Sequence, residues 1–462
     1  VTEGGARRHA VWALCAVAYL YSFPYFERLN SPNENVRVYM TRALVEHRTL
    51  AINRVEAEWG WVNDKAKSGE RVYSGKAPGA SFLGVPVLVA QRWLWSVAGA
   101  RPPSKRAVVF ALRIGATALP IIAFLFWVAR YVERRSGSPA VRDLAVLGLG
   151  LGSMLYPYGV QFVGHAVAAA LSAGAFMLLA PVGGGRPRPG ATVAAGLLAG
   201  LGVVFEYQNI IPAALLLAFA WAQGGARGAA RFAAGAAPAA VALGVYHTLC
   251  FGRPWAFPYG HLENADFQTY HVRGFHGFAL PRVEVLGHIL FSIDYGLFAF
   301  SPFLLLGVAA VARALVAGPR REALVVGAVL VGMLLFLAGM GNWRGGWTVG
   351  PRYIVVVVPL LVLAWAFAPP MGVGGPAVLD RVIMTVGAAL VLVSVALNLS
   401  AGAIYPHFPP QLRNPVFQLV VPLVADGYVP YNAGRLVGLA GRASLVPLAA
   451  AAVAAALLAL TA

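Results

Sequence analysis

Apolar stretches close to 20 residues long recur along most of this chain and restrict it to one class of architecture. A bilayer core takes roughly 20 apolar residues as a helix. A backbone inside that core must satisfy its own hydrogen bonds. Read with that length, the sequence predicts an all-α polytopic membrane protein with about 12 transmembrane helices (11–13). The spans fall near 9–26, 107–129, 143–158, 160–180, 191–207, 209–223, 229–250, 292–312, 323–340, 353–369, 382–403 and 442–461. Composition agrees, since only 12% of residues are charged, against roughly 25% in a soluble chain. A soluble enzyme, a disordered chain and a secreted disulfide scaffold are excluded. Cys15 and Cys250 both lie in apolar segments. The first stretch lacks a small-residue cleavage site, so it is expected to stay as a span.

The charges then orient the chain. Lys and Arg number 36 against 18 acids. In a soluble chain that excess would suggest nucleic acid; here it is sorted by the positive-inside rule. With the N-terminus in the cytoplasm, Arg7, Arg8 and the alternate turns through Arg381 carry 14 positive charges. The short turns on the other side, 157–161 and 208–209, carry none. The expectation is a multi-pass protein of the bacterial inner membrane and a single domain over 1–462, with no nucleic-acid partner.

This topology leaves one long extracytoplasmic loop, 27–106, with 13 positive and seven negative charges. Within it, 33–48 reads as an interfacial helix with Val36, Met40, Ala43, Leu44 and His47 on one face. Residues 81–97 are apolar enough to span. A span there would put Arg130, Arg134 and Arg135 outside, so a juxtamembrane helix is expected instead. Long loops in compact architectures are usually functional.

Polar residues gather on that same side. The loop supplies Ser31-Pro32-Asn33-Glu34-Asn35-Val36-Arg37, Trp61-Val62-Asn63-Asp64-Lys65 and Tyr73-Ser74-Gly75-Lys76-Ala77-Pro78-Gly79. Span ends add His165, Glu206, Asp294, Arg344 and Gly350-Pro351-Arg352-Tyr353. Ionisable groups at membrane depth are costly and default to functional candidates. A loop carboxylate can deprotonate an acceptor hydroxyl. Lys and Arg at the interface can hold a lipid phosphate as it leaves. Together these suit glycosyl transfer from a lipid-phosphate donor, with a transporter or a lipid-modifying enzyme as the alternatives. Each residue also has a plainer reading: Glu206 as a buried acid paired with an arginine such as Arg37, Asp64 and Lys65 as a local ion pair. His261, Glu263, Asp266, His271 and His276 match no standard metal spacing.

These motifs resemble the GT-C superfamily of integral-membrane glycosyltransferases, which use polyprenyl-phosphate-linked sugars. The likeness is to bacterial relatives of the protein O-mannosyltransferases and aminoarabinose transferases. It rests on Ser31-Pro32-Asn33-Glu34, Asp64-Lys65, Tyr73 to Gly79 and Gly350-Pro351-Arg352-Tyr353, within 31–79 and 350–353, and elsewhere on topology only. It implies an inverting transfer from a polyprenyl-phosphate-linked sugar to a lipid, glycan or protein acceptor. Glu34 stands at the family's first-loop catalytic carboxylate, with Asp64 as the alternative base. Lys76, Arg352 and Arg344 would meet the donor phosphate with Tyr73 and Lys65, supported by Arg37, Glu206, His165 and Asp294. Two departures stand out: Asn33 replaces the first acid of an Asp-Glu pair, and Lys-Ala-Pro replaces Lys-Pro-Pro. The WWD-type motif of oligosaccharyltransferases is absent. No organic cofactor and no metal site are expected, although metal-dependent members of the superfamily leave a divalent ion open. A flippase for a lipid-linked sugar would need polar groups through the midplane, and a non-catalytic envelope scaffold would need none of this chemistry.

Overall fold

A computed structural model describes residues 3–27, 31–272, 277–368 and 377–461. The side chains of Arg7, Arg8, His271, His276 and Arg381 lie outside what it describes. The protein is a helical bundle capped at one end by a layer built from the first loop. Among the described residues, five helices are long and apolar enough to cross a membrane: Lys105–Ser136, Tyr207–Phe251, Arg320–Gly339, Met384–Ile404 and Gly441–Leu460. Shorter apolar helices, such as His165–Leu179 and Pro189–Phe205, fill the spaces between them.

Local chemistry sets the boundaries. The Ser104 side chain accepts from the Ala107 N–H at 3.3 Å and starts the long helix, satisfying one of its free first-turn donors. Ahead of Pro120 that helix widens into a π turn over Ile114–Ala118, which absorbs the missing proline donor. It stops at Gly137, where φ is 69°. The expected spans 209–223 and 229–250 form one hydrogen-bonded run broken at Gly225, with φ 60° and ψ −154°. That region is essentially open to glycine alone. The second half of this run then lies against the Pro189–Phe205 helix. A Cβ on Gly196 would sit 1.9 Å from the Phe232 carbonyl oxygen, and one on Gly235 the same distance from that of Val193. Small residues there let the two backbones touch.

Some expected spans are interrupted. The 143–158 stretch is a helix only to Gly150 and resumes at Leu155–Gly159, because Ser153 turns the chain and caps the Leu155 N–H at 3.1 Å. The 292–312 stretch breaks at Ser301-Pro302 between Leu297–Phe300 and Leu304–Ala317, as a proline disfavours helix in the residue before it.

The loop layer departs further from expectation. The burial of its Pro32–His47 helix is not confined to one apolar face. Glu34, Arg37, Val38, Tyr39 and Thr41 are buried along with Val36, Met40 and Ala43. The Gly79–Val97 helix packs against it. Between the two lies an unexpected hairpin. Lys65–Ser68 pairs antiparallel with Arg71–Ser74, Lys65 opposite Ser74, through a turn at Gly69 with φ 59°. A small separate core of Tyr39, Val55, Val72, Tyr73, Tyr246 and Phe251 fastens this layer to the end of the Tyr207–Phe251 helix.

Candidate active site

A cavity of about 550 Å³ opens between the loop layer and the bundle, lined by Asn33, Asp64, Lys76, Arg352, Tyr353 and His407 among others. The hairpin places the first two charges. Asp64 precedes its first strand and adopts φ 53°, a left-handed conformation that Asp tolerates better than most residues. Its carbonyl accepts from the Gly75 N–H at 2.9 Å. A Cβ on Gly75 would lie 2.3 Å from that oxygen, so the closure requires glycine. The closed base leaves Asp64 and Lys76 side by side at the cavity wall, with Nζ 3.2 Å from Oδ1.

Arg352 enters from the short helical turn Arg352–Ile354. Its guanidinium lies 5.1 Å from the Tyr353 ring centre, and its buried Nε has no hydrogen-bond partner. Among the described residues no carboxylate lies within ion-pairing distance of it. Its Nη2 donates to the neutral Tyr353 hydroxyl at 3.4 Å, so its charge is left unneutralised by that contact and this side of the cavity suits an anion.

His407 follows the Met384–Ile404 helix and is 9% exposed. Burial pushes its imidazole down to about 4; Arg113 and Arg352 push the same way, and Glu34 partly offsets them. The unfolded chain would protonate it near the ordinary 6.5, so between these values the unfolded state binds more protons. Stability from the neutral imidazole is complete above about pH 6.5 and lost as the pH falls toward 4, on the order of 3 kcal/mol. Thermal-unfolding midpoints at pH 7.5 and 5 should therefore differ more in the wild type than in His407→Gln. Equal differences would remove His407 as the cause.

Glu34 sits just behind this wall. Its oxygens accept from Arg113 Nε and Nη2, both at 2.6 Å, and Oε1 also accepts from the Phe162 N–H at 2.7 Å. Arg113 reaches on to the Pro24 carbonyl at 3.1 Å. Burial alone would push the Glu34 carboxyl up, but the adjacent guanidinium and the Phe162 N–H outweigh it and hold it below the usual range. The carboxylate does not line the cavity.

The other expected residues separate by location. Arg37 donates to Glu206 Oε1 at 2.8 Å and to the Asn33 carbonyl at 3.0 Å, which is the pairing expected for Glu206. His165 Nδ1 lies 3.4 Å from the same Glu206 oxygen. This buried set braces Asn33 from behind. Arg344 is committed to Asp294 at 2.7 Å, while its neighbours Gly345 and Gly346 line the cavity. Lys65 turns away from Asp64 and pairs with Glu56 and Glu263. Tyr73 packs edge-on against Phe251 at 5.6 Å, inside the small core. The cavity thus unites Asp64, Lys76 and Arg352 from the expected set. His407, Tyr259, Tyr405 and the Glu34 partner Arg113 were not anticipated. Arg113 did carry a signal, since an arginine inside an apolar stretch demands a carboxylate. His407 carried none.

The residues present do not fit a divalent-metal site. Such an ion takes several oxygen ligands with anionic charge, whereas among the described residues the cavity offers one carboxylate, Asp64, beside two cations. Glu46, His47 and Glu58 approach one another elsewhere, but Arg42 and Arg92 already pair with the two acids.

No family model matches the chain, and no curated protein matches it in sequence. Solved structures do match. ArnT from Cupriavidus metallidurans in the apo state is 16% identical, with 97% of this chain and 73% of that one covered at a TM-score of 0.49. The oligosaccharyltransferase AglB from Archaeoglobus fulgidus, in complex with an inhibitory peptide and a dolichol-phosphate, is 11% identical. That match covers 89% of this chain and 57% of AglB at a TM-score of 0.50. AglB is a GT-C superfamily member, and the chain shares its fold.

Proposed function

We propose that this protein is an inverting membrane glycosyltransferase that moves a sugar from a polyprenyl-phosphate donor to a hydroxyl or amine on the extracytoplasmic face of the inner membrane. The observation that carries this reading is the cavity wall itself. One carboxylate, Asp64, stands beside Lys76 and beside an arginine, Arg352, that has no carboxylate in reach among the described residues.

In the proposed reaction the donor phosphodiester enters between helices and its charged oxygens meet Arg352 and Lys76. Lys76 exchanges Asp64 for the phosphate, which frees the carboxylate to act. Asp64 takes the proton of the acceptor hydroxyl as that oxygen attacks the anomeric carbon from the face opposite the phosphate. The bond from the anomeric carbon to the phosphate oxygen breaks, and its electron pair leaves with the polyprenyl phosphate, now a dianion. The two cations stabilise that growing charge. Asp64 is favoured over Glu34 as the base because the Glu34 oxygens are already occupied by Arg113 and Phe162. The notion that the donor carries a polyprenyl phosphate draws on the superfamily resemblance and on AglB, which was solved with a dolichol-phosphate.

The test is reconstitution with a polyprenyl-phosphate sugar and a mixture of glycan and lipid acceptors. Lys76→Ala and Arg352→Ala should each raise the donor KM by about 10–100-fold, the worth of a charge-assisted hydrogen bond. Wild-type transfer in both variants would sink the assignment.

A further inference from the structure

A second cavity, of about 690 Å³, lies at the other end of the bundle. The Lys105–Ser136 helix delivers Arg135 to it, and the Leu304–Ala317 helix delivers Arg313. Arg135 lies 22 residues beyond Arg113 on that one helix, roughly 33 Å along its axis. This is about the thickness of a hydrocarbon core, so the two cavities lie a membrane's depth apart. The glycosyl transfer proposed above uses no residue of this second chamber.

Three observations describe what would fill it. Its inner walls are apolar, with Leu144, Leu306, Phe367 and Val391. Among the described residues, its charged lining side chains are Arg135 and Arg313, with no carboxylate beside them in the lining. Arg135 is held in place by Glu322 at 3.1 Å and by the carbonyls of Ala180 and Pro181. Its guanidinium also lies 5.4 Å from the Phe367 ring centre. Third, Trp365, of a residue type enriched at the headgroup level of membranes, lines the chamber. The chamber therefore asks for an apolar tail and negative charge in one molecule. Basic pockets between membrane helices are known to take anionic lipid headgroups, and the volume falls within the usual range for ligand pockets.

We propose that this chamber binds an anionic glycerophospholipid, with one acyl chain between Leu144, Leu306 and Val391 and the headgroup phosphate at Arg313 and Arg135. The proposal is independent of which sugar, if any, the polar cavity handles.

The full chain in detergent is titrated with phosphatidylglycerol and, separately, phosphatidylcholine, and retained lipid is counted by native mass spectrometry. One phosphatidylglycerol should be retained per chain, about fivefold more tightly than phosphatidylcholine, in keeping with one cation near an anionic headgroup. Arg313→Gln should erase that preference. Ala310→Phe, which fills the chamber, should release both lipids, and Met384→Trp at the rim repeats that test on a residue more tolerant of size. Thermal unfolding confirms that each variant is folded. Retention of neither lipid by the wild type, equal retention of both, or phosphatidylglycerol binding unchanged in the folded variants would overturn the proposal.

Discussion

Asp64→Asn should lower glycosyl transfer by about 10²–10⁴-fold, the usual contribution of a positioned general base. The fall should appear in kcat. The amide keeps the shape of the carboxylate but cannot take the acceptor proton, whereas Lys76 loses its 3.2 Å partner and is left to the donor phosphate. The donor KM should therefore stay level or drop, in contrast to Lys76→Ala and Arg352→Ala. Asp64 is held mainly by a backbone closure, its carbonyl accepting from Gly75, so the unfolding midpoint should barely move. Steady-state kinetics on reconstituted protein, with a melting curve for each variant, decide the matter. Asp64→Asn transfer within threefold of wild type would exclude this residue as the base.

Glu34→Gln should behave in the opposite way, with a large loss of stability and a loss of turnover under tenfold per folded molecule. Glu34 and Arg113 are 2% and 3% exposed at their side chains. Removing one charge leaves the other buried without its counterion, which costs about 3–5 kcal/mol. The double variant Glu34→Gln/Arg113→Gln should recover part of that loss, because no uncompensated charge remains. The stability from the pair is complete at neutral pH. The folded carboxyl is held low, so this contribution is lost only as the pH falls below the ordinary glutamate range toward the depressed value. Unfolding midpoints and folded yield for the single and double variants test this. A Glu34→Gln protein with normal stability and abolished transfer would return the role of base to Glu34.

These two residues show how far a sequence can be read. The approximate places of the helices follow from apolar length alone, because a backbone in hydrocarbon has few ways to satisfy its donors. The exceptions share a cause: Gly225, Ser153 and Pro302 interrupt helices through local backbone chemistry that a hydropathy ruler ignores. The loop helix at 32–47 misled for a different reason. A charged face looks solvent-bound until its partners are known, and here Arg37 and Glu34 are buried because Glu206 and Arg113 come from distant spans to meet them.

The candidate site divides along the same line. By itself the sequence determined that the chain spans a membrane and that acids and cations able to handle a phosphate crowd the polar segments. It also supplied the resemblance, through residues whose types are readable one at a time. Only the tertiary structure showed how different the neighbours of the two carboxylates are. Glu34 and Asp64 have equivalent chemistry, and both lie in the same loop. One is enclosed by an arginine 79 residues away and the other faces an open cavity beside Lys76 and Arg352. A carboxylate's role depends on its neighbours, and neighbours brought from other helices are not encoded at any spacing along the chain.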